Sequence, residues 1–354
     1  MGQYYISQAN FFKFLNTLAN SYTVFIPVKK GTSRVYARYE ASAPSEPGER
    51  TFPAVVGEVR PFEPLKAFFF RSRQKVAVGF QDVLPGLSEK PFCLVGVKAC
   101  DLQGLKVLDA VFQSEDYTDP FYEKARQENL IIAADCTLAL ETCYCLSFHN
   151  EPYPQESFDI NLSEVDGGYI LEDGSPKGAA LVSQNASLFS SPDSQALTRR
   201  EEQRKRVKQE VAEKIQLSHT PDEGMLAGVI AQNYDAPIWE EEAQTCVECA
   251  ACNMICPTCH CFLLYDQQKE DALARFRIWD SCMLKNFARV AGGANPRPFL
   301  WMRLRNRFEK KFDFFPKVFN RIACTGCGRC ITACPAKIDI RKVLRRLVDN
   351  VQKS

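Results

Sequence analysis

The sequence predicts an α+β multidomain chain, with an N-terminal α/β domain over residues 1–190 followed by an α-helical domain over 191–354. Three observations carry this. Short β-rich pieces alternate with helix-period stretches through the first half. After residue 190 the composition shifts to charged sequence of helical period. Within that second part lie two cysteine runs that read alike, Cys246-x2-Cys249-x2-Cys252-x3-Cys256-Pro257 and Cys324-x2-Cys327-x2-Cys330-x3-Cys334-Pro335.

In order, a helix is expected to start near Ser7, with Phe11, Phe12, Leu15 and Leu18 on one face. Strands are expected over 23–28, 34–39 and 75–80, broken by a loop holding Pro44, Pro47 and Pro53. Residues 92–97 read as a buried strand, followed by Asp101 as the N-cap of a helix carrying Leu102, Leu105, Leu108 and Phe112. A helix over 120–128 leads into a strand over 129–134, an order that favours parallel pairing with 92–97. Gly167-Gly168 and Asp173-Gly174 frame a strand around Tyr169 to Leu171. Residues 190–194 can open a helix, and its charge run over 199–206 reads as a solvated surface rather than a docking face. From Gln195 onward helix dominates. Trp301, Leu304, Phe308, Phe312 and Phe315 keep a helical period, as do Ile340, Val343, Leu344 and Leu347.

At 354 residues, 45% hydrophobic and 25% charged, the composition is that of a globular protein. A formal net charge of +1 gives no global field for nucleic acid or a membrane surface. The start, Met1 to Ile6, has neither a basic segment nor an apolar one of signal-peptide type, so the sixteen cysteines do not read as a secreted disulfide framework. No apolar run approaches a membrane span. A cytoplasmic location is expected.

Three thiolates at the spacing of each run can wrap one cubic iron–sulfur cluster, while the cysteine before proline serves the other run's cluster. One [4Fe–4S] cluster is therefore assigned to Cys246, Cys249, Cys252 and Cys334, and another to Cys324, Cys327, Cys330 and Cys256. A zinc site is the competing reading, but it needs only four of these eight cysteines. The long, helical-looking insert between Cys256 and Cys324 suggests a helical ferredoxin-like dicluster domain rather than a compact ferredoxin.

Two further groups remain. Cys100 and Cys136 each follow a candidate parallel strand, so both would emerge at the edge where open α/β sheets place ligands. With Cys143 and Cys145 they could hold a third [4Fe–4S] cluster or a zinc ion, or be buried structural thiols; Cys93, inside a strand, reads as core. Cys259, Cys261 and Cys282 lack a clear fourth partner and read as hydrogen-bonding neighbours of a cluster, with thiol chemistry as the alternative. The basic residues Arg303, Arg305, Arg307, Lys310 and Lys311 read as a polar helix face, though cations near a cluster would raise its potential.

Neither a dinucleotide fingerprint nor a phosphate-binding loop is visible, and three histidines supply little acid–base or haem chemistry. Clusters without a substrate site describe an electron relay, a non-catalytic subunit of an oxidoreductase complex. The alternatives are a sulfur or polysulfide reductase using Cys259, Cys261 or Cys282, and a redox sensor, for which no DNA- or ligand-binding module is visible.

Six blocks occur in a telling order: Gly96 to Asp101; Asp135-Cys136 with Thr142 to Cys145; Cys246 to Cys261; Trp279 to Cys282; Gly292 to Arg297; and Cys324 to Pro335. From about residue 60 to the last residue the chain resembles the iron–sulfur β subunit of NAD(P)-linked [NiFe] sulfhydrogenases and the corresponding iron–sulfur subunit of anaerobic sulfite reductase. The resemblance implies a helical ferredoxin domain behind an α/β domain. It also implies a hetero-oligomeric complex with a flavin subunit handling NAD(P)H and a catalytic redox partner. The eight cysteines of the runs carry over as cluster ligands, and the pattern at Cys100, Cys136, Cys143 and Cys145 favours a third cluster. Two departures stand out: Lys98-Ala99 replaces the usual Arg-Pro, and Ala294 stands where histidine is more usual.

Overall fold

The computed structural model describes residues 2–40, 54–79, 81–83, 90–269 and 272–353. The expected loop with Pro44, Pro47 and Pro53 lies outside these residues, as does Phe80 at the end of an expected strand.

Strand β1 (Gln3–Ser7) runs into α1 (Gln8–Ser21), whose first turn is capped by Ser7 Oγ accepting the Asn10 N–H at 3.3 Å. Phe11, Phe14, Leu15 and Leu18 are its buried face. There follow β2 (Thr23–Lys30), β3 (Ser33–Arg38), the single turn α2 (Lys66–Phe69), β4 (Arg73–Val78) and β5 (Gln81–Asp82). Next come β6 (Phe92–Val97), α3 (Ala99–Phe112), a small pair β7 (Gln113–Ser114) and β8 (Tyr117–Thr118), α4 (Pro120–Glu128) and β9 (Leu130–Ala134). Strands β10 (Ile160–Val165) and β11 (Gly168–Asp173) lead through α5 (Pro176–Gln184) to the long helix α6 (Ser194–Ser218), capped by Asp193. Beyond it are α7 (Val229–Gln232), α8 (Ile238–Ala243), α9 (Ala251–Met254), β12 (Phe262–Lys269) and β13 (Ala272–Trp279). Helix α10 (Leu300–Glu309) continues through a π-helical turn, Lys310–Phe314, into α11 (Phe315–Phe319). The last elements are α12 (Arg329–Ala333) and α13 (Ile340–Lys353).

Seven strands form one sheet in the order β1-β11-β10-β9-β6-β2-β3, with β10, β9, β6 and β2 parallel. The expected parallel pairing of 92–97 with 129–134 is present, Cys93 standing opposite Leu130 and Val95 opposite Ile132. Side chains on these strands alternate between two cores. Cys93, Val95 and Ile132 face the layer of α1, while Leu94, Val97 and Ile131 face Leu102, Leu105 and Phe112 of α3. Because β6 and β9 end side by side, the residues after them leave the sheet at one edge.

The structure corrects four expectations. Helix α3 begins at Ala99 after Lys98, so Asp101 lies in its first turn and is not the cap. Its carboxylate is used instead by the Leu65 N–H and by Arg329. The charge run on α6 is only partly solvated, because Arg200 and Arg204 turn inward. Arg204 donates to Asp135 at 2.7 Å and to Glu172 at 3.2 Å, and Arg200 to Glu172 at 3.0 Å. The insert between the cysteine runs is not wholly helical. Its hairpin β12–β13 joins β4 and β5 in a four-stranded antiparallel sheet, β12-β13-β4-β5. Finally, Arg303, Arg305, Arg307 and Lys311 are buried and do not form a polar face. Residues 144 and 148 of the first half pack into the same core as α8, α10 and α13.

The hairpin is fastened by Arg277, which pairs with Asp119 where both side chains are out of solvent. Asp119 also accepts the Phe121 and Tyr122 N–H groups at 3.0 and 2.9 Å, starting α4. Arg277→Met leaves that carboxylate buried and uncompensated. A loss of about 3–5 kcal/mol is expected in denaturant unfolding followed by circular dichroism, and a loss below about 1 kcal/mol would show the pair to be dispensable.

Candidate metal centres

All sixteen cysteines are unpaired, and twelve of them border three cavities, Cys327 and Cys330 bordering two each. The first cavity has Cys246, Cys249 and Cys252 with Cys334 on its wall. The second has Cys324, Cys327 and Cys330 with Cys256. Each cysteine before a proline borders the cavity of the other run, Cys334 the first and Cys256 the second. The third cavity is bordered by Cys100, Cys136, Cys143 and Cys145, at the sheet edge where β6 and β9 end.

The three cavities form a row. Cys327 borders both the third and the second, and Cys330 borders both the second and the first. Of the sixteen cysteines only Cys249, on the first cavity, is exposed, and Val247 on the same cavity is 63% exposed. The third cavity is bordered by the buried Val207 and Val211 of α6.

The loops that present the sulfurs share one backbone device. In the second run Gly326 and Gly328 have φ of +66° and +70°, which turns the chain so that its cysteines face inward and lets α12 begin. Glu248 and Ala250 hold the matching places in the first run, with φ of 54° and 60°, before α9. There a side chain is carried in the left-handed region, at a cost of roughly 1–2 kcal/mol per residue. In the second run that substitution has no room. A Cβ on Gly326 would lie 2.4 Å from the Tyr144 carbonyl oxygen, and one on Gly328 would lie 2.0 Å from that of Thr142. The two loops lie backbone against backbone, joined by the Tyr144 N–H donating to Gly326 O at 2.9 Å.

Buried cations stand around the sulfurs. Lys311 Nζ lies 3.3 Å from Cys256 Sγ, 2.9 Å from Thr258 Oγ1 and 3.0 Å from Ala323 O. Burial opposes its charge, but the Cys256 and Cys259 sulfurs outweigh that and hold it protonated. Cys256 is correspondingly held well below the usual thiol range, first by a hydrogen bond from the Cys259 thiol, against burial, and then by Lys311. Most other sulfurs are pushed the opposite way by burial: Cys136 and Cys330 to about 11 and Cys324 to about 12. Without a metal those thiols keep their protons at neutral pH, so filling these sites is coupled to proton release.

Three cations near the third cavity were not singled out as site residues by the sequence. Arg60 borders the cavity and donates to Cys327 O. Lys98, wholly buried, donates to Val56 O at 2.7 Å and to Asp135 O at 2.9 Å, and its charge opposes the rise in the Cys136 pKa. Arg329 clasps Asp101 through two hydrogen bonds of 2.8 and 2.7 Å, fixing the second run to the first turn of α3 beside Cys100. Their signal was faint, since a buried arginine or lysine is recognisable only from partners far away in sequence.

The remaining thiols support this frame. Cys259 is half-buried and donates to Cys256; Cys282 is buried and accepts from Asn253 Nδ2 at 3.2 Å; Lys310 Nζ stands 3.8 Å from Cys261. Cys93 is in the core of the large sheet.

Among the described residues no group of three or more His, Cys, Asp or Glu is arranged to hold a single metal ion. Each cavity is instead bordered by at least four cysteines, with buried cations close by. That donor set fits a thiolate-bound, net-negative iron–sulfur group. No described helix is long and apolar enough to cross a membrane.

Comparison with known proteins agrees with this chemistry. The family described as a 4Fe-4S dicluster domain matches residues 245–338. The chain is 35% identical over 286 residues, 79% of its own length and 81% of the relative's, to the Sulfhydrogenase 2 subunit beta of Pyrococcus furiosus. It is also 24% identical over 103 residues to the Pyruvate-flavodoxin oxidoreductase of Trichormus variabilis, covering 29% of this chain and 7% of that protein. No solved structure matches.

Gly328→Ala and Gly326→Ala push the second run off residues 142–145. Both are expected to lower the iron content per chain, as counted by iron analysis of anaerobically purified protein. Ala250→Gly, which relieves the left-handed strain, should keep full iron and gain up to about 1 kcal/mol in thermal unfolding. Full iron in Gly328→Ala would contradict the close-approach argument.

Proposed function

Because this chain belongs to the family of the sulfhydrogenase beta subunits, we propose that it is the iron–sulfur electron-transfer subunit of a hydrogenase-type complex. Its task on this reading is to relay electrons between a flavin subunit that handles NAD(P)H and a catalytic redox subunit. The observation that carries the proposal is the row of three cavities bordered by twelve cysteines, with Cys327 and Cys330 as the shared walls. Bound iron–sulfur clusters supply one-electron chemistry; the chain supplies sulfur ligands, separation from water and compensating charge.

The ligand sets proposed are Cys246, Cys249, Cys252 and Cys334; Cys324, Cys327, Cys330 and Cys256; and Cys100, Cys136, Cys143 and Cys145. The third set is supported by the convergence of these four thiols at one sheet edge and by Lys98 and Arg60 beside them. The exposed Cys249 end of the row suits exchange with a partner, since the ligand itself reaches solvent. Cys259 and Cys282, each engaged in a hydrogen bond, suit a supporting role better than attack on an external sulfur compound. The division at about residue 190 is proposed as the domain boundary, supported by the separate core around α1 and the large sheet.

Iron and acid-labile sulfide counted on anaerobically purified protein, with zinc in parallel, test this reading. About twelve irons per chain are expected, falling to about eight when Cys136 and Cys143 are both replaced by alanine. About eight irons with one zinc would make the third site structural. Purification from native cells should bring down a flavoprotein, and turnover of polysulfide by the isolated chain would overturn the relay assignment.

A further inference from the structure

Arg307 stands between two of the cavities, bordering both the first and the second. It projects from α10 and is 5% exposed. Its orientation is set by Nε donating to Asn253 Oδ1 at 2.9 Å. Asn253 is itself held by Nδ2 donating to Ser281 Oγ at 2.9 Å and to Cys282 Sγ at 3.2 Å. So anchored, the guanidinium leaves Nη2 buried and without a protein partner.

That open donor is unusual among the cations of the site. Lys311 is occupied by a sulfur, a hydroxyl and a carbonyl. Arg329 is taken up by Asp101 and the Pro61 carbonyl. Arg303 is turned to Glu248 and to the carbonyls of Met283 and Pro298. Of the two arginines that border a four-cysteine cavity, Arg60 and Arg307, only Arg307 has a buried nitrogen left unpaired among the described residues. An unpaired N–H of a charged group costs several kcal/mol unless something accepts it. Arginine cannot escape the cost by losing its proton, and the sulfurs of Cys252 and Cys330, one from each run, outweigh the burial that opposes its charge.

We propose that Arg307 is a positioning residue shared by the two groups held in the cysteine runs, its charge and its open donor serving both at once. The inference rests on the reading that both runs hold [4Fe–4S] clusters. A cation shared between two anionic groups stabilises the reduced form of each, so it raises both reduction potentials together.

The test is a potentiometric titration of the anaerobic full-length chain followed by electron paramagnetic resonance, with Arg307→Gln against wild type. In the variant the signals of the two run-held clusters should shift together to lower potential. The expected change is tenfold in the equilibrium constant of each one-electron reduction, about 59 mV. The signal of the third site, identified by its loss when Cys136 and Cys143 are alanine, should stay put. Unmoved potentials at full iron content would overturn the proposal, as would an equal shift in all signals. Absence of the two signals from wild type would instead overturn the cluster reading itself. If Arg307→Gln loses iron, Arg307→Lys decides the matter, with both chains labelled with ¹⁵N in the arginine guanidinium. Pulsed resonance should show ¹⁵N coupling on both run-held signals in wild type and its loss from both in Arg307→Lys; retained coupling would overturn the assignment.

Discussion

Two loops pressed backbone against backbone, one from each half of the chain, govern the arrangement of everything else. Gly326 and Gly328 allow the second cysteine run to lie directly on residues 142–145, and no other residue type leaves space there. That contact makes Cys327 a wall of the third cavity as well as of the second. The Arg329–Asp101 pair holds the same loop to the opening turn of α3, so the run is gripped on two sides by the α/β half. Fixed in this way, α12 offers its flank to α9, and the first run falls into line at the end of the row.

The electrostatics follow from the same closeness. Twelve sulfurs gathered close together and mostly shielded from water cannot all be anionic without nearby positive charge. The structure answers with Lys98, Arg60, Arg307 and Lys311, all buried and spread along the row rather than gathered at one end. Where a cation and a thiol donor both reach one sulfur, at Cys256, the thiol pKa is held down. At Cys324 and Cys330 burial wins and the thiol persists until a metal displaces the proton. These ligand sites therefore differ in how ready they are before any iron arrives.

Much of this was legible in the sequence, and for an identifiable reason. Ligand spacing in the two runs is local, so Cys246 to Cys256 and Cys324 to Cys334 announce their geometry without reference to the rest. The third group was legible through topology, because parallel strands over 92–97 and 129–134 bring Cys100 and Cys136 to one edge. What escaped depends on partners distant in sequence. Phe262 to Tyr265 is a short apolar run that suits helix or strand equally, and only pairing through β13 with β4, nearly two hundred residues earlier, settles it. Arg204 looked solvated because Asp135 and Glu172 are not its sequence neighbours. Arg303, Arg305 and Arg307 alternate along α10 in a way that resembles a wet face, yet each is buried against carbonyls, carboxylates or sulfurs. Asp101 had the right type for a cap, but Arg329 claims it.

The hairpin β12–β13 bears on how separable the second half can be. Strand β13 lies in the middle of a sheet whose next strand, β4, belongs to the first half, and Arg277 reaches across to Asp119. A fragment beginning at residue 191 would expose the full edge of β13 and take away the carboxylate that Arg277 pairs with. Bare edges of that kind recruit other chains. The dicluster region is thus not a portable cassette that could be lifted out and fused elsewhere: it shares a sheet with its neighbour, and the two halves stand or fall as one heritable unit.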